Sequence, residues 1–279
     1  MAILRLASIG TLILLALLAG LLLSLPRGPR FRALSDRARV WFCRLACRAL
    51  GIVVESEGIP PADSPCLLVS NHISWTDVLA LGSIRPMVFL ARHDLAGWPL
   101  LGPLARVHGT LFVERGRRRQ IPEVNRRIAA EMSRGSIAVL FPEATTGDGT
   151  RLQKFHSPHF EAPRSLLGNP AGAPAVLIAP VALAYTRRGG LPLGRTGRAA
   201  VAWYGDTKFA PHLLDLVRNG RVTCSIRFLT HIPVEQAASR KALAREAASR
   251  IAAGFRGEIM ADARHEGATS YVHRPRQVV

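Results

Sequence analysis

Ser64-Pro65-Cys66-Leu67-Leu68-Val69-Ser70-Asn71-His72-Ile73-Ser74-Trp75-Thr76-Asp77 passes without interruption from an apolar run into a polar one. The run Cys66–Ser70 has the continuous hydrophobicity of a strand buried on both faces. His72 and Asp77 therefore fall where a strand breaks into a loop, a usual place for groups that must reach a substrate. On an unbroken helix, residues five apart are rotated by roughly 140° and do not face one another. The chain must bend between them. With the bend, Asp77 accepts a hydrogen bond from one ring nitrogen of His72, and the other nitrogen is free to take a proton from a hydroxyl. The same residues support a second reading. Ser74-Trp75-Thr76-Asp77 matches a capping box, in which Asp77 satisfies backbone amides at a helix start and His72 is an ordinary loop histidine. No Gly-x-Ser-x-Gly elbow occurs in the chain, so an attacking hydroxyl would come from the substrate.

Outward from this stretch, strand-like and helix-like patterns alternate. Residues 52–57, 66–70, 87–91, 110–114, 136–141, 175–185 and 221–229 read as strands. Helical patterns occupy 99–107, 211–218 and 237–255, and a further helix places Ile121, Val124, Ile128, Ala129 and Met132 on one face. The alternation predicts an α/β fold, a layered sheet flanked by helices, with its site at strand ends. No internal repeat is visible.

Three further blocks follow in order. Gly109-Thr110-Leu111-Phe112-Val113-Glu114-Arg115 is a short strand delivering an arginine. Phe141-Pro142-Glu143-Ala144-Thr145-Thr146-Gly147-Asp148-Gly149 follows an apolar run, and Ile178-Ala179-Pro180-Val181-Ala182 lies in another. Together with residues 71–77, these blocks resemble the glycerolipid acyltransferases, in particular the bacterial 1-acylglycerol-3-phosphate O-acyltransferases and their lyso-ornithine lipid relatives, over roughly residues 50 to 230. The resemblance implies His72 as catalytic base and Asp77 as its orienting partner. It also implies Asn71, Gly109, Phe112 and Arg115 on the substrate side, with Pro142, Glu143 and Thr145 completing the pocket. Arg115 has independent support, because a guanidinium is a planar donor fork suited to phosphate or carboxylate. Its neighbours Arg117, Arg118 and Arg119 suit an anionic lipid surface or plain solvent equally well.

The third block departs from the family's Phe-Pro-Glu-Gly-Thr-Arg pattern. Ala144 stands where glycine is expected, and alanine resists a left-handed backbone, so the loop is expected to keep an ordinary conformation. Thr146 stands where an arginine is expected and supplies no charge. Either Arg151 or Lys154 takes over that charge, or the acceptor lipid is not a phosphate ester. His156-Ser157-Pro158-His159 lacks the partners and spacing of a zinc site, so no metal is expected, and no cofactor. The remaining histidines, His212 among them, are assigned to surface or packing.

The ends and the composition bear on location. Residues 6–25 form an almost wholly apolar run of about 20 residues, which as a helix matches the roughly 30 Å hydrocarbon core of a bilayer. Only Arg5 precedes this run, whereas Arg27, Arg30, Arg32, Arg37, Arg39, Arg44 and Arg48 follow it, an order opposite to that of a cleaved signal peptide. The positive-inside rule then predicts an inner-membrane protein with its catalytic part in the cytoplasm. Leu34, Trp41, Phe42, Leu45 and Leu50 alternate with arginines as in a helix on a membrane surface, or one packed on a core. The expected organisation is a membrane anchor over 1–50, a catalytic domain over 51–260 and a polar, disordered tail over 261–279. A formal charge of +18 suits an anionic membrane surface or an acidic acyl carrier protein. With aromatics at only 6% of residues and no nucleic-acid-binding signature, nucleic acid is not an expected partner. Cys43, Cys47, Cys66 and Cys224 form no disulfide framework, in keeping with a reducing compartment.

The expected activity is transfer of a fatty acyl group from a thioester of coenzyme A or acyl carrier protein to the free hydroxyl of lysophosphatidic acid. Lyso-ornithine lipid is the alternative acceptor. A non-catalytic basic lipid-binding protein and a lipid hydrolase are the competing readings.

Overall fold

The computed structural model describes residues 7, 10, 11, 14, 29–58, 64–99, 101–114, 118–167, 175–264 and 277–278. The strands are β1 (Ile52–Glu57), β2 (Cys66–Ser70), β3 (Met87–Arg92), β4 (Leu111–Val113), β5 (Ile137–Leu140), β6 (Leu177–Arg188), β7 (Leu191–Pro192), β8 (Val222–Phe228), β9 (Ile232–Pro233) and β10 (Gln277–Val278). The helices are α1 (Pro29–Leu50), α2 (Thr76–Gly82), α3 (Leu101–Val107), α4 (Ile121–Ser133), α5 (Glu161–Arg164), α6 (Arg195–Val201), α7 (Phe209–Arg218) and α8 (Arg240–Arg264).

Side chains alternate across each strand, and both sets in β2 are buried. Leu67 and Val69 face Val124, Ile128 and Met132 of α4 and Leu243 and Ile251 of α8. Leu68 faces the opposite side, with Cys47 and Leu50 of α1 and Leu81 of α2. Cores on both faces explain why β2 and β5 read as continuous apolar runs rather than alternating ones. The sheet order is β10-β1-β8-β6-β2-β5-β3-β4, with β7 and β9 also paired to β6. From β6 to β4 all neighbours are parallel. β8 and β1 run parallel to each other, and β8 is antiparallel to β6, so the sheet is mixed. The fold is thus α/β, a central sheet flanked by helices.

α1 packs on the rest of the fold through Phe42, Cys43, Ala46, Cys47 and Leu50. It meets α2 at Gly82, where a Cβ would lie 2.8 Å from the Cys43 sulfur, so only glycine permits this approach. The opposite side of α1 exposes Leu34, Trp41 and Leu45. The expected boundary at residue 50 therefore falls between packed elements, with one side of α1 on the core and the other exposed. The apolar run 6–25 lies outside the described residues except for Ala7, Gly10, Thr11 and Leu14, which are helical. Among the described residues no helix is long and apolar enough to cross a membrane.

At the other end, α8 continues to Arg264 because Glu258 is buried against Arg227, at 2.6 Å, and the Ser225 hydroxyl. Gln277 and Val278 pair antiparallel with Ser56 and Glu55. Residues 265–276 and 279 of the tail, expected to be disordered, lie outside the described residues.

Candidate active site

The loop after β2 is held from three directions. The Asn71 amide donates to Leu183 O at 2.8 Å and accepts from Leu183 N at 2.9 Å, continuing the β2–β6 ladder by one side-chain pair. Gly147 N donates to His72 O at 2.8 Å, and Trp203 N donates to Ile73 O at 3.0 Å. Asn71, expected on the substrate side, is buried with both ends of its amide engaged by the sheet.

Asp77 is fully buried. Its Oδ2 accepts from His72 Nδ1 at 2.8 Å, Ile73 N at 2.7 Å and Ser74 N at 2.9 Å. One carboxylate oxygen thus serves both the imidazole and the backbone amides that open α2. The capping box is only half formed, because the Asp77 amide goes to Ser74 O rather than to the Ser74 hydroxyl. A carboxylate can only accept, so Nδ1 carries the ring proton and Nε2 keeps its lone pair. The ring stacks on Phe141 with centroids 4.0 Å apart and planes 13° apart, and 15% of the side chain is exposed.

Phe141 arrives there by register. β5 lies parallel beside β2 with Val69 opposite Leu140, so the third block leaves the sheet next to the first. Pro142 and Glu143 are buried. Burial pushes the Glu143 carboxyl up to about 8, with the Asp77 charge adding and the backbone amides of Gln153 and His72 opposing. Its Oε1 has no hydrogen-bond partner among the described residues. Ala144 has φ +60°, which overturns the expected ordinary conformation. The loop must turn back so that Gly147 reaches His72 O, and this tertiary bond outweighs the alanine's preference. Thr145 is exposed and Thr146 half-buried, and Arg151 and Lys154 are both exposed.

The second block is farther off. Gly109 takes φ +72° at the end of α3, and its missing Cβ leaves room for Arg39, whose Nη1 lies 3.3 Å from where that atom would stand. Phe112 lies on β4 with the Arg106 guanidinium 5.8 Å from its ring centroid. β4 is three strands from β2, or about 14 Å across the sheet at ordinary strand spacing. Arg115 lies outside the described residues.

Two groups beside the loop escaped the sequence reading. Tyr185 donates its hydroxyl to Asp77 Oδ1 at 2.9 Å and meets the Thr76 hydroxyl. It carries the only polar side-chain atom in residues 177–185, which is the signal that could have singled it out. His212, assigned by default to surface or packing, accepts from the Trp75 indole N–H on Nδ1 at 3.1 Å and donates from Nε2 to Val201 O at 3.0 Å. Burial, the largest influence, lowers its pKa. His156 is exposed and His159 bonds Asn125. Among the described residues no group of three or more histidines, cysteines or acidic residues is placed to hold a metal ion. All four cysteines are free and buried.

Residues 51–184 match the Acyltransferase family. A lyso-ornithine lipid O-acyltransferase of Rhizobium meliloti (strain 1021) is 38% identical over 213 residues, 75% of this chain and 71% of that protein. A 1-acyl-sn-glycerol-3-phosphate acyltransferase of Neisseria gonorrhoeae is 30% identical over 210 residues, 75% of this chain and 76% of that protein. The crystal structure of the 1-acyl-sn-glycerophosphate (LPA) acyltransferase PlsC from Thermotoga maritima superposes with a TM-score of 0.65 at 15% identity, covering 92% of this chain and 96% of that one. The fold, the ordered blocks and these relatives agree, and the chain belongs to the glycerolipid acyltransferase family and is an acyltransferase.

Proposed function

We propose that this acyltransferase moves a fatty acyl group from a thioester of coenzyme A or acyl carrier protein onto the free hydroxyl of a lysolipid, with His72 as general base. The His72–Asp77 pair carries this reading: a proton held on Nδ1 by a buried carboxylate leaves Nε2 to receive another. As the acceptor oxygen attacks the thioester carbonyl, Nε2 takes its proton, and Asp77 stabilises the imidazolium. The tetrahedral intermediate collapses, the C–S bond breaks, and the thiolate takes the proton back from His72. The products are an ester and a thiol. Asn71 positions the loop through Leu183. Glu143, largely protonated at neutral pH, offers a hydrogen-bond donor beside the site. Arg115 and its block take the head group.

Lysophosphatidic acid is the acceptor that the four blocks suggest as a set. Lyso-ornithine lipid, whose head group lacks phosphate, has two observations in its favour. Thr146 is neutral where a cation is expected, and relatives bearing that name reach higher identity than those named for the glycerophosphate acceptor. We put the reaction at the cytoplasmic face of the inner membrane with residues 6–25 as anchor, a reading supported by the apolar run and the arginines that follow it.

The test offers a labelled acyl thioester and each acceptor separately to membranes containing the chain, with His72→Ala as control. Product with one acceptor that disappears in His72→Ala supports the mechanism and names the acceptor. Transfer surviving in His72→Ala, or free fatty acid released without an acceptor, overturns it.

A further inference from the structure

The geometry points to Tyr185 as a positioning residue that acts through Asp77 to fix the orientation and the ring proton of His72. This rests on the proposed role of His72 as base. Three of the four donors to Asp77 converge on Oδ2. Rotation about the terminal bond of an aspartate meets only a broad, two-fold barrier, so a carboxylate loaded on one oxygen needs a restraint on the other. The Tyr185 hydroxyl supplies it at Oδ1. Because the Tyr185 proton points at Asp77, the Thr76 hydroxyl donates to the Tyr185 oxygen, which fixes the direction of the phenol in turn. All three side chains are at most 1% exposed.

The strand is suited to hold the phenol still. Tyr185 pairs with Cys224 on β8, immediately before the register irregularity that separates it from Arg187. Burial raises the phenol pKa well above its ordinary value and the Asp77 charge adds to this, so the group stays a donor throughout any assay range. A chain of hydrogen bonds therefore runs from Thr76 through Tyr185 to Asp77, and Asp77 takes the His72 proton donor in turn. Both of its ends belong to the segment after β2, and its middle member, Tyr185, lies 108 residues from Asp77 in sequence.

Removing the phenol proton leaves Oδ1 unmatched and puts more negative charge beside His72, whose other titratable neighbour, Glu143, is the same in every variant. The imidazolium is then favoured, and the acid limb of the pH–rate profile moves to higher pH. The full-length protein in detergent micelles is assayed with palmitoyl-coenzyme A and, separately, lysophosphatidic acid and lyso-ornithine lipid. Wild type, Tyr185→Phe, Thr76→Val and His72→Ala are compared from about pH 5 to about pH 9. Tyr185→Phe is expected to lower kcat on the order of tenfold, the scale of one lost hydrogen bond to a charged group, with acceptor KM little changed and the acid limb raised. Thr76→Val is expected to move the limb the same way by less, and it decides the matter should Tyr185→Phe fail to fold. A fall in kcat with an unmoved limb marks a merely structural role and overturns the proposal, as does an unmoved limb in folded Thr76→Val. If His72→Ala is inactive while Tyr185→Phe matches wild type, this proposal falls and the base assignment stands. Transfer by His72→Ala brings down both.

Discussion

Glu143 shows how much one residue's surroundings decide. Its carboxyl lies in a buried loop beside Asp77, and its pKa rises to about 8. Between the ordinary 4.5 and that value the folded chain holds a proton that the unfolded chain has released, so this group makes stability fall as pH rises through the window. The slope reaches about 1.4 kcal/mol per pH unit at its steepest. Glu143→Gln removes the titration, and chemical unfolding between pH 5 and pH 8 should show a flatter profile, with the variant gaining on wild type toward pH 8. An unchanged slope would refute the assignment. The spacing of His72 and Asp77 suggested a hydrogen-bonded pair and a capping box alike, because both are local, and the resemblance of four ordered blocks favoured the pair. Tyr185 was hidden because its partner lies 108 residues away, and no spacing rule reaches that far.

Among the elements, the loop after β5 is where local preference and tertiary demand conflict. Alanine in the left-handed region costs about 1–2 kcal/mol, and glycine recovers this at an entropic cost of about 0.4–1 kcal/mol. Ala144→Gly should stabilise the chain by about 0.5–1 kcal/mol, seen as a higher urea midpoint with an unchanged slope. A lower midpoint would mean that the loop tolerates Ala144 without strain. The long strands and helices were legible because their apolar runs and periodicities are strong. α6 was not, since Arg-Thr-Gly-Arg-Ala-Ala-Val offers little periodicity and contains Gly197. β7 and β9, two residues each, lie below any pattern. The end of α8 was missed because Glu258 reads as a surface residue until Arg227 and Ser225 are placed beside it.

For the whole molecule, the layered α/β class followed from alternation, whereas the reversed pair β1 and β8 did not. Strand direction depends on which neighbours pack, and no segment announces that by itself. Leu34, Trp41 and Leu45 of α1 are exposed beside exposed Arg37 and Arg48, and the proposed membrane location would set this face against an anionic bilayer, where each basic group contributes about 1 kcal/mol. In vesicles containing brominated anionic lipid, tryptophan emission of the full chain should be quenched. Trp41→Phe should remove most of the quenched fraction, and Arg37→Glu with Arg48→Glu should reduce it at low salt. A quenched fraction unchanged in Trp41→Phe would show that this face does not meet the lipid.

The clamp between Asn71 and Leu183 also sets a timetable. Leu183 leaves the ribosome 112 residues after Asn71, an interval of roughly 6–22 s at ordinary elongation rates of about 5–20 residues per second. Throughout that interval the nascent loop lacks the partner that continues its ladder, and Tyr185 follows only two residues later. The growing chain therefore has no assembled site with which to intercept a thioester before most of β6 is made, with β7 to β10 still to follow.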